Sequence, residues 1–487
     1  MKRLITPILI LFVIALQFIS CEGLDEDYAT NPNLRLSFSV DTLSFDTVFT
    51  NIGSATKSFM IYNHNDKPLL ISNILLASDG ETGFRINVDG HKGTSFNDIR
   101  IGANDSLYVL AEVTVNPNKE NEPLLVSDSI LFTLNGIKQV VRMEAYGQNV
   151  NLLKGGITLM HDTTFTADRP FLIYDSLVVA EGATLHITPG ATLYMHNKAN
   201  IINYGAIIAN GTLEKPIVFR GDRLDFILND VLPYDRTPSQ WGGIYFRKES
   251  FNNEMDHVIV RNGTTGLTFE TSSTEQPKLK MHNSQITNMG KSLLSAFNCH
   301  IEVDNSELSN AGEGVTNLIG GKYSFIHCTI VNYMALTPRS GSYPCLTISN
   351  NANSQTFPLD ATFANCIIDG SFSSGKTDYQ GEMLLSIKEG TTFNYLFNHC
   401  VIKSKGTAGE HYTDVIFTDV SPSYKLTGGE KNKYCFDFRP DSVTTIGVGK
   451  ADITISKSYP TDRYGVDRLT NNAPSIGAYE FVEQKNN

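Results

Sequence analysis

FANCIID, residues Phe363–Asp369, sets the architecture of the second half of this chain. A large apolar residue, an Asn, a small Cys and an alternating apolar run follow one another. The same register recurs in MDHVIVRN (255–262), MHNSQITN (281–288), VDNSELSN (303–310), FIHCTIVN (325–332), FANCIIDG (363–370) and FNHCVIKS (397–404). Position one is always large and apolar. Position three is always His or Asn: His257, Asn283, Asn305, His327, Asn365 and His399. Position four is small, and position six is aliphatic: Val260, Ile286, Leu308, Ile330, Ile368 and Ile402. The spacings of 26, 22, 22, 38 and 34 residues suit one repeat per coil of a solenoid, with loops inserted in the longer coils. Stacked strands place equivalent residues about 4.8 Å apart. Position six then points inward, and the Asn or His forms a bend, because short polar side chains tolerate left-handed backbone and satisfy turn groups. We read these six as a structural bend stack.

The preceding stretch uses related grammar. GATL occurs at Gly182 and again at Gly190, GAII follows at Gly205 and GTLEKPIVF at Gly211. Strands this short, each ended by a Gly or Pro-Gly turn, bury their apolar faces by winding into a coil in which each pairs with its equivalent one turn on. Residues 155–480 resemble right-handed parallel β-helix proteins of the pectin-lyase-like superfamily, in particular bacterial surface lipoproteins. GTLEKPIVFRGDRL, the insertion before SQWGGIYF, the NCxI coils and the closing SIGAYEF carry that resemblance.

Residues 34–150 read differently. KSFMIYN, FRINV, SLYVLAEVTV and SILFTL alternate apolar and polar positions, and NHNDKP, SDGETG and GAND separate them as turns. Short strands at this spacing predict an antiparallel sandwich. NHNDKPLLISNILL, IGANDSLYVLAEVTVNP and DSILFTLNGIKQVVRMEAYGQ resemble immunoglobulin-like domains of the Hydin/ASPM type, which implies a spacer or binding platform. The expected fold class is all-β: an N-terminal Ig-like β-sandwich followed by a right-handed parallel β-helix.

Lys2 and Arg3 precede an apolar run from Leu4 to Ile19 and then Cys21, which reads as a secretory signal over residues 1–20. It resembles a bacterial lipoprotein signal, implying lipidation at Cys21 and an outer-membrane, surface-exposed location. EGLDED opens an acidic tether over residues 21–33. The net charge of −12 and the lack of a Lys/Arg cluster argue against nucleic acid as a partner. Membrane through the anchor, and a polysaccharide or a surface or matrix partner, are the expected contacts.

The six later cysteines form no C-x-x-C pair, which gives little support to zinc or redox chemistry. Cys366 and Cys400 on successive coils are either a disulfide or stacked buried thiols. The histidines of the bend share their register with Asn, so a stacking role accounts for both, and no metal site is assigned. No catalytic residue is assigned either. A polygalacturonase-type hydrolase needs clustered Asp residues, and no Asp-Asp pair, Gly-His-Gly or Arg-Ile-Lys segment occurs. A calcium-dependent polysaccharide lyase needs several acidic ligands and a base. Only the scattered Asp304 and Glu307, with Asp225, Asp230 and Asp235, offer themselves, and Ca²⁺ enters only under that alternative. The 19-residue loop 222–240 supplies candidate binding residues Asp225, Tyr234, Asp235 and Arg236, with Trp241 just beyond as a structural strand start or a sugar-stacking ring. The resulting expectation is a lipid-anchored, non-catalytic glycan- or partner-binding platform.

Overall fold

The computed structural model describes residues 28–121, 123–228, 232–337, 339, 343–372, 381–406, 409–428, 430–432, 434–470 and 472–483. The signal segment, Cys21, the first part of the tether and Asp230 lie outside the described residues. The chain divides into two compact units, Met1–Asn149 and Val150–Asn487.

The first unit is a sandwich of two five-stranded sheets. Its strands alternate as the sequence does. Lys57–Asn63 buries Phe59, Ile61 and Asn63, and Phe84–Val88 buries Phe84, Ile86 and Val88. Strands Leu124–Leu134 and Ile137–Gln148 are joined by Asn135–Gly136, both at positive φ (46° and 81°), the two-residue turn whose twist suits an antiparallel pair. One pair departs from the antiparallel pattern: Ile137–Gln148 runs parallel to Thr42–Phe49.

The second unit is a parallel β-helix. Its wall consists of three long parallel sheets, of 11, 9 and 10 strands. One coil runs Ile330-containing Thr329–Asn332 (11-stranded sheet), Leu346–Ser349 (nine-stranded) and Leu359–Ala364 (ten-stranded), then turns at Asn365 into Ile367–Gly370 of the next coil. The repeated phrase therefore spans the corner between the ten- and 11-stranded sheets. Pairing is in register: Phe325, Phe363 and Phe397 lie on successive coils, and so do Ile330, Ile368 and Ile402. In-register pairing stacks like on like. Phe325, Phe363, Phe397 and Tyr412 form one interior ring column with centroid spacings of 5.0, 4.8 and 5.6 Å and planes within 14° of parallel. Each fully buried aliphatic or aromatic side chain contributes about 1.5–3 kcal/mol by leaving water.

Cys328, Cys366 and Cys400 are buried free thiols just inside the corner. Each donates to carbonyl oxygens, as Cys366 does to Phe325 (3.3 Å) and Ala364 (3.2 Å). Small polarizable groups fill a corner too crowded for a larger side chain.

The C-terminal residues from about 420 to 480 leave the coil and run back over the outer face of the 11-stranded sheet. They bury a second apolar layer there: Val331, Ile367 and Val401 of the coils pack against Tyr424, Phe438, Ile476 and Tyr479. We refer to residues 452–480 as the strap.

Candidate functional site

All six bend residues adopt left-handed backbone, with φ of 49° at His257, 47° at Asn283, 45° at Asn305, 51° at His327, 54° at Asn365 and 48° at His399. Their side chains bond along the stack. Asn305 Nδ2 donates to Asn283 Oδ1 (3.3 Å), and Asn365 Nδ2 donates to His327 Nε2 (3.0 Å). Asn305 and Asn365 also hold the strap. Asn365 Oδ1 accepts from Asp452 N (2.7 Å), Asn305 Nδ2 donates to Thr461 O (2.9 Å), and Asn305 Oδ1 accepts from Arg468 Nη2 (2.9 Å). The part of the stack from Asn305 to Asn365 is thus a docking rail for the chain's own C-terminal segment.

His327 is fully buried on this rail. Nε2 faces Asn365 Nδ2 (3.0 Å) and Ser456 Oγ (2.9 Å), and Nδ1 faces Gly477 O at 3.3 Å. Burial, and secondarily the Arg468 guanidinium, push its pKa well below the ordinary histidine value. The folded state therefore binds fewer protons than the unfolded state once pH drops below about 6.5. Stability is complete above that pH and declines below it, by up to about 1.4 kcal/mol per pH unit until the folded pKa is reached. The His327→Asn variant, which installs the residue other coils use here, should flatten this acid limb in urea titrations at pH 5 and 7.5. An unchanged limb would show that His327 does not titrate on unfolding.

The described residues of loop 222–240 are tied to one another and to the coil. Arg223 Nε donates to Asp225 Oδ1 (2.7 Å), and its guanidinium lies 4.0 Å from the Tyr234 ring centroid. Asp235 Oδ1 stands 3.0 Å from Arg220 and 3.1 Å from Arg261. Tyr234–Arg236 form a single 3-10 turn. Beside the loop, His196 Nδ1 meets Asp222 Oδ2 at 2.6 Å, and the Tyr174 ring stacks on His196 at 3.9 Å. Trp241 corrects the sugar-stacking alternative: it is 1% exposed and donates Nε1–H to Arg261 O (2.8 Å). Its indole fills the helix interior, where an apolar body with one satisfied donor is most stable.

The described acids of the lyase alternative are engaged with neighbouring side chains. Asp304 Oδ2 pairs with His282 Nδ1 at 2.6 Å, and that bond raises the His282 pKa. Glu307 is buried, accepts from Gln285 Nε2 (2.8 Å) and Ser309 Oγ (2.5 Å), and is bonded by the Tyr479 hydroxyl of the strap. Among the described residues, no group of three or more His, Cys, Asp or Glu is arranged to hold a metal ion.

The nine-stranded sheet presents a different surface. One outward column runs Val178, Ile202, Tyr245, Thr268, Ser295, Asn317 and Thr347, each paired with the next and each half-buried. At the aromatic end, Arg247 Nη1 bonds Glu270 Oε1 (2.5 Å) and lies 6.0 Å from the Tyr204 and Tyr245 rings. Hydroxyl and amide groups therefore recur along the axis at the coil spacing, beginning beside two tyrosines. Sequence reading missed this column. Its signal was the outward alternate of each three- or four-residue strand, which is visible only once the strands are paired.

No family model matches the chain, and no curated protein matches it. Among solved structures, likenesses are partial. A family 123 glycoside hydrolase from Clostridium perfringens is 10% identical, with a TM-score of 0.17, over 24% of this chain and 26% of that one. The E. coli chaperone DraB is 11% identical, with a TM-score of 0.17, over 23% of this chain and 54% of that one. A PapD-like domain of human CEP192 is 11% identical, with a TM-score of 0.17, over 27% of this chain and 95% of that one. This chain spans about a quarter of the hydrolase and about half of the chaperone.

Proposed function

We propose that this is a lipid-anchored surface protein of the outer membrane, tethered through Cys21, whose β-helix is a non-catalytic platform for a glycan or a surface partner. In this reading the β-helix is right-handed and pectin-lyase-like, and the sandwich is an Ig-like spacer. The observation that carries it is the contrast between the two sets of polar groups. Asp225, Asp235, Asp304 and Glu307 are taken up in internal contacts. The column from Tyr245 to Thr347 is half-buried and faces outward with Thr, Ser and Asn side chains, of which Asn317 also donates to Ser292 Oγ (2.7 Å) and the Tyr245 hydroxyl also accepts from Thr265 (3.3 Å). Such groups bind hydroxyl-rich chains by hydrogen bonds, while the tyrosines add ring contact.

Retention of the purified protein on a panel of immobilised neutral and acidic polysaccharides tests this. At least one polysaccharide should retain the wild type, and Tyr245→Ala should weaken that binding about tenfold, or about 1.4 kcal/mol, with unchanged circular dichroism. Retention of neither protein on any glycan, or equal retention of both, would remove this face from the proposal.

A further inference from the structure

Beneath the C-terminal segment lies a pair of side chains that none of the above uses. Ile368 and Ile402 pair across successive coils, so the next residues, Asp369 and Lys403, face outward side by side. Both are buried, at 0% and 7% exposure. Lys403 Nζ stands 3.9 Å from Asp369 Oδ1. Nζ is held in place by Gly370 O (2.5 Å) and Ser421 Oγ (2.8 Å). The other carboxyl oxygen, Oδ2, accepts from the Tyr333 hydroxyl (2.6 Å) and the Tyr424 hydroxyl (3.0 Å). Phe438 walls the site, 5.3 Å from the Tyr424 ring and 5.9 Å from the Tyr333 ring.

We infer that Lys403 and Asp369 condense to an intramolecular amide, a covalent rung between two coils. The geometry supplies what amide formation requires: a fixed amine, a fixed carboxyl, exclusion of water and donors on the carboxyl oxygen. Burial also raises the Asp369 pKa, which favours the neutral acid over the carboxylate. A proton passes from the Lys403 ammonium to the Asp369 carboxylate, leaving a neutral amine and a neutral acid. The Nζ lone pair attacks Cγ and forms the C–N bond. The Tyr333 and Tyr424 hydroxyls hold the charge that develops on Oδ2. The Cγ–Oδ1 bond then breaks, and that oxygen departs as water with its own proton and one from nitrogen. No oxidant, metal or cofactor enters the balance.

Intact-mass spectrometry of the purified protein and of Lys403→Arg tests it. Arginine keeps the cation but not the nucleophile. The wild type should be lighter than its processed sequence by the mass of one water, and the variant should show its full mass. N-terminal processing affects both alike. Tryptic digestion should yield one branched peptide joining the segments around Asp369 and Lys403. Asp369→Ala supplies a second full-mass control if it folds. A wild type at full mass, cleaved by trypsin after Lys403, would overturn the proposal and leave a buried ion pair.

Discussion

Phe363→Ala should destabilise the β-helix by about 3–5 kcal/mol, the range for deleting a buried aromatic side chain from a packed core. Phe363 is 0% exposed and is stacked between Phe325 at 5.0 Å and Phe397 at 4.8 Å. Both neighbours are fixed by in-register strand pairing, so neither can move along the axis to close the gap. The loss should be local, because a coil contacts chiefly its neighbours. Denaturant titration with hydrogen exchange should place the loss of protection in coils near residues 325–417 and spare those near 171–269. A change under about 1 kcal/mol would mean that the column does not bear on stability.

Arg468→Ala should release the strap. The guanidinium is fully buried and makes four contacts: Nη2 to Asn305 Oδ1 (2.9 Å) and Gly477 O (3.1 Å), and Nη1 to Glu480 Oε1 (2.9 Å) and Ser475 O (3.4 Å). Its removal leaves the Glu480 carboxylate buried without its cation, and breaking a buried pair from one side costs about 3–5 kcal/mol. Lysine should not restore it, since one ammonium cannot reproduce a planar fork. Limited proteolysis should cut within residues 452–480 of the variant and leave the coils intact. Equal resistance of variant and wild type would show that the apolar layer under the strap suffices without the arginine.

The coils were legible because their physics is local and repeated. A residue that must be left-handed, one that must be small and one that must point inward recur in fixed order. Six chemically similar phrases therefore declared six corners before any pairing was known. The strap was not legible for the opposite reason. Arg468 reaches Asn305 across 163 positions, and the Tyr479 hydroxyl reaches Glu307 across 172. Among its described residues the strap has no strand and one short helix, Ile453–Ser456, recognisable only from its Asp452 cap. The bend residues were read as a stack that satisfies turn groups, and the second task of Asn305 and Asn365, holding the strap, depended on contacts that no short window contains. Loop 222–240 stood out as an insertion, yet Arg223 and Asp225 close on each other and Asp235 closes on Arg220 and Arg261. The column from Tyr245 to Thr347 escaped notice because each coil contributes only one outward residue to it.

The most direct test of the central claim, a platform without catalysis, is incubation of the purified protein with uronic-acid and neutral polysaccharides, with and without calcium. Unsaturated products and new reducing ends would be followed. The account predicts neither on any substrate, together with retention on at least one. Product formation that a chelator abolishes would contradict it and direct attention to Asp304, Glu307 and the 222–240 loop.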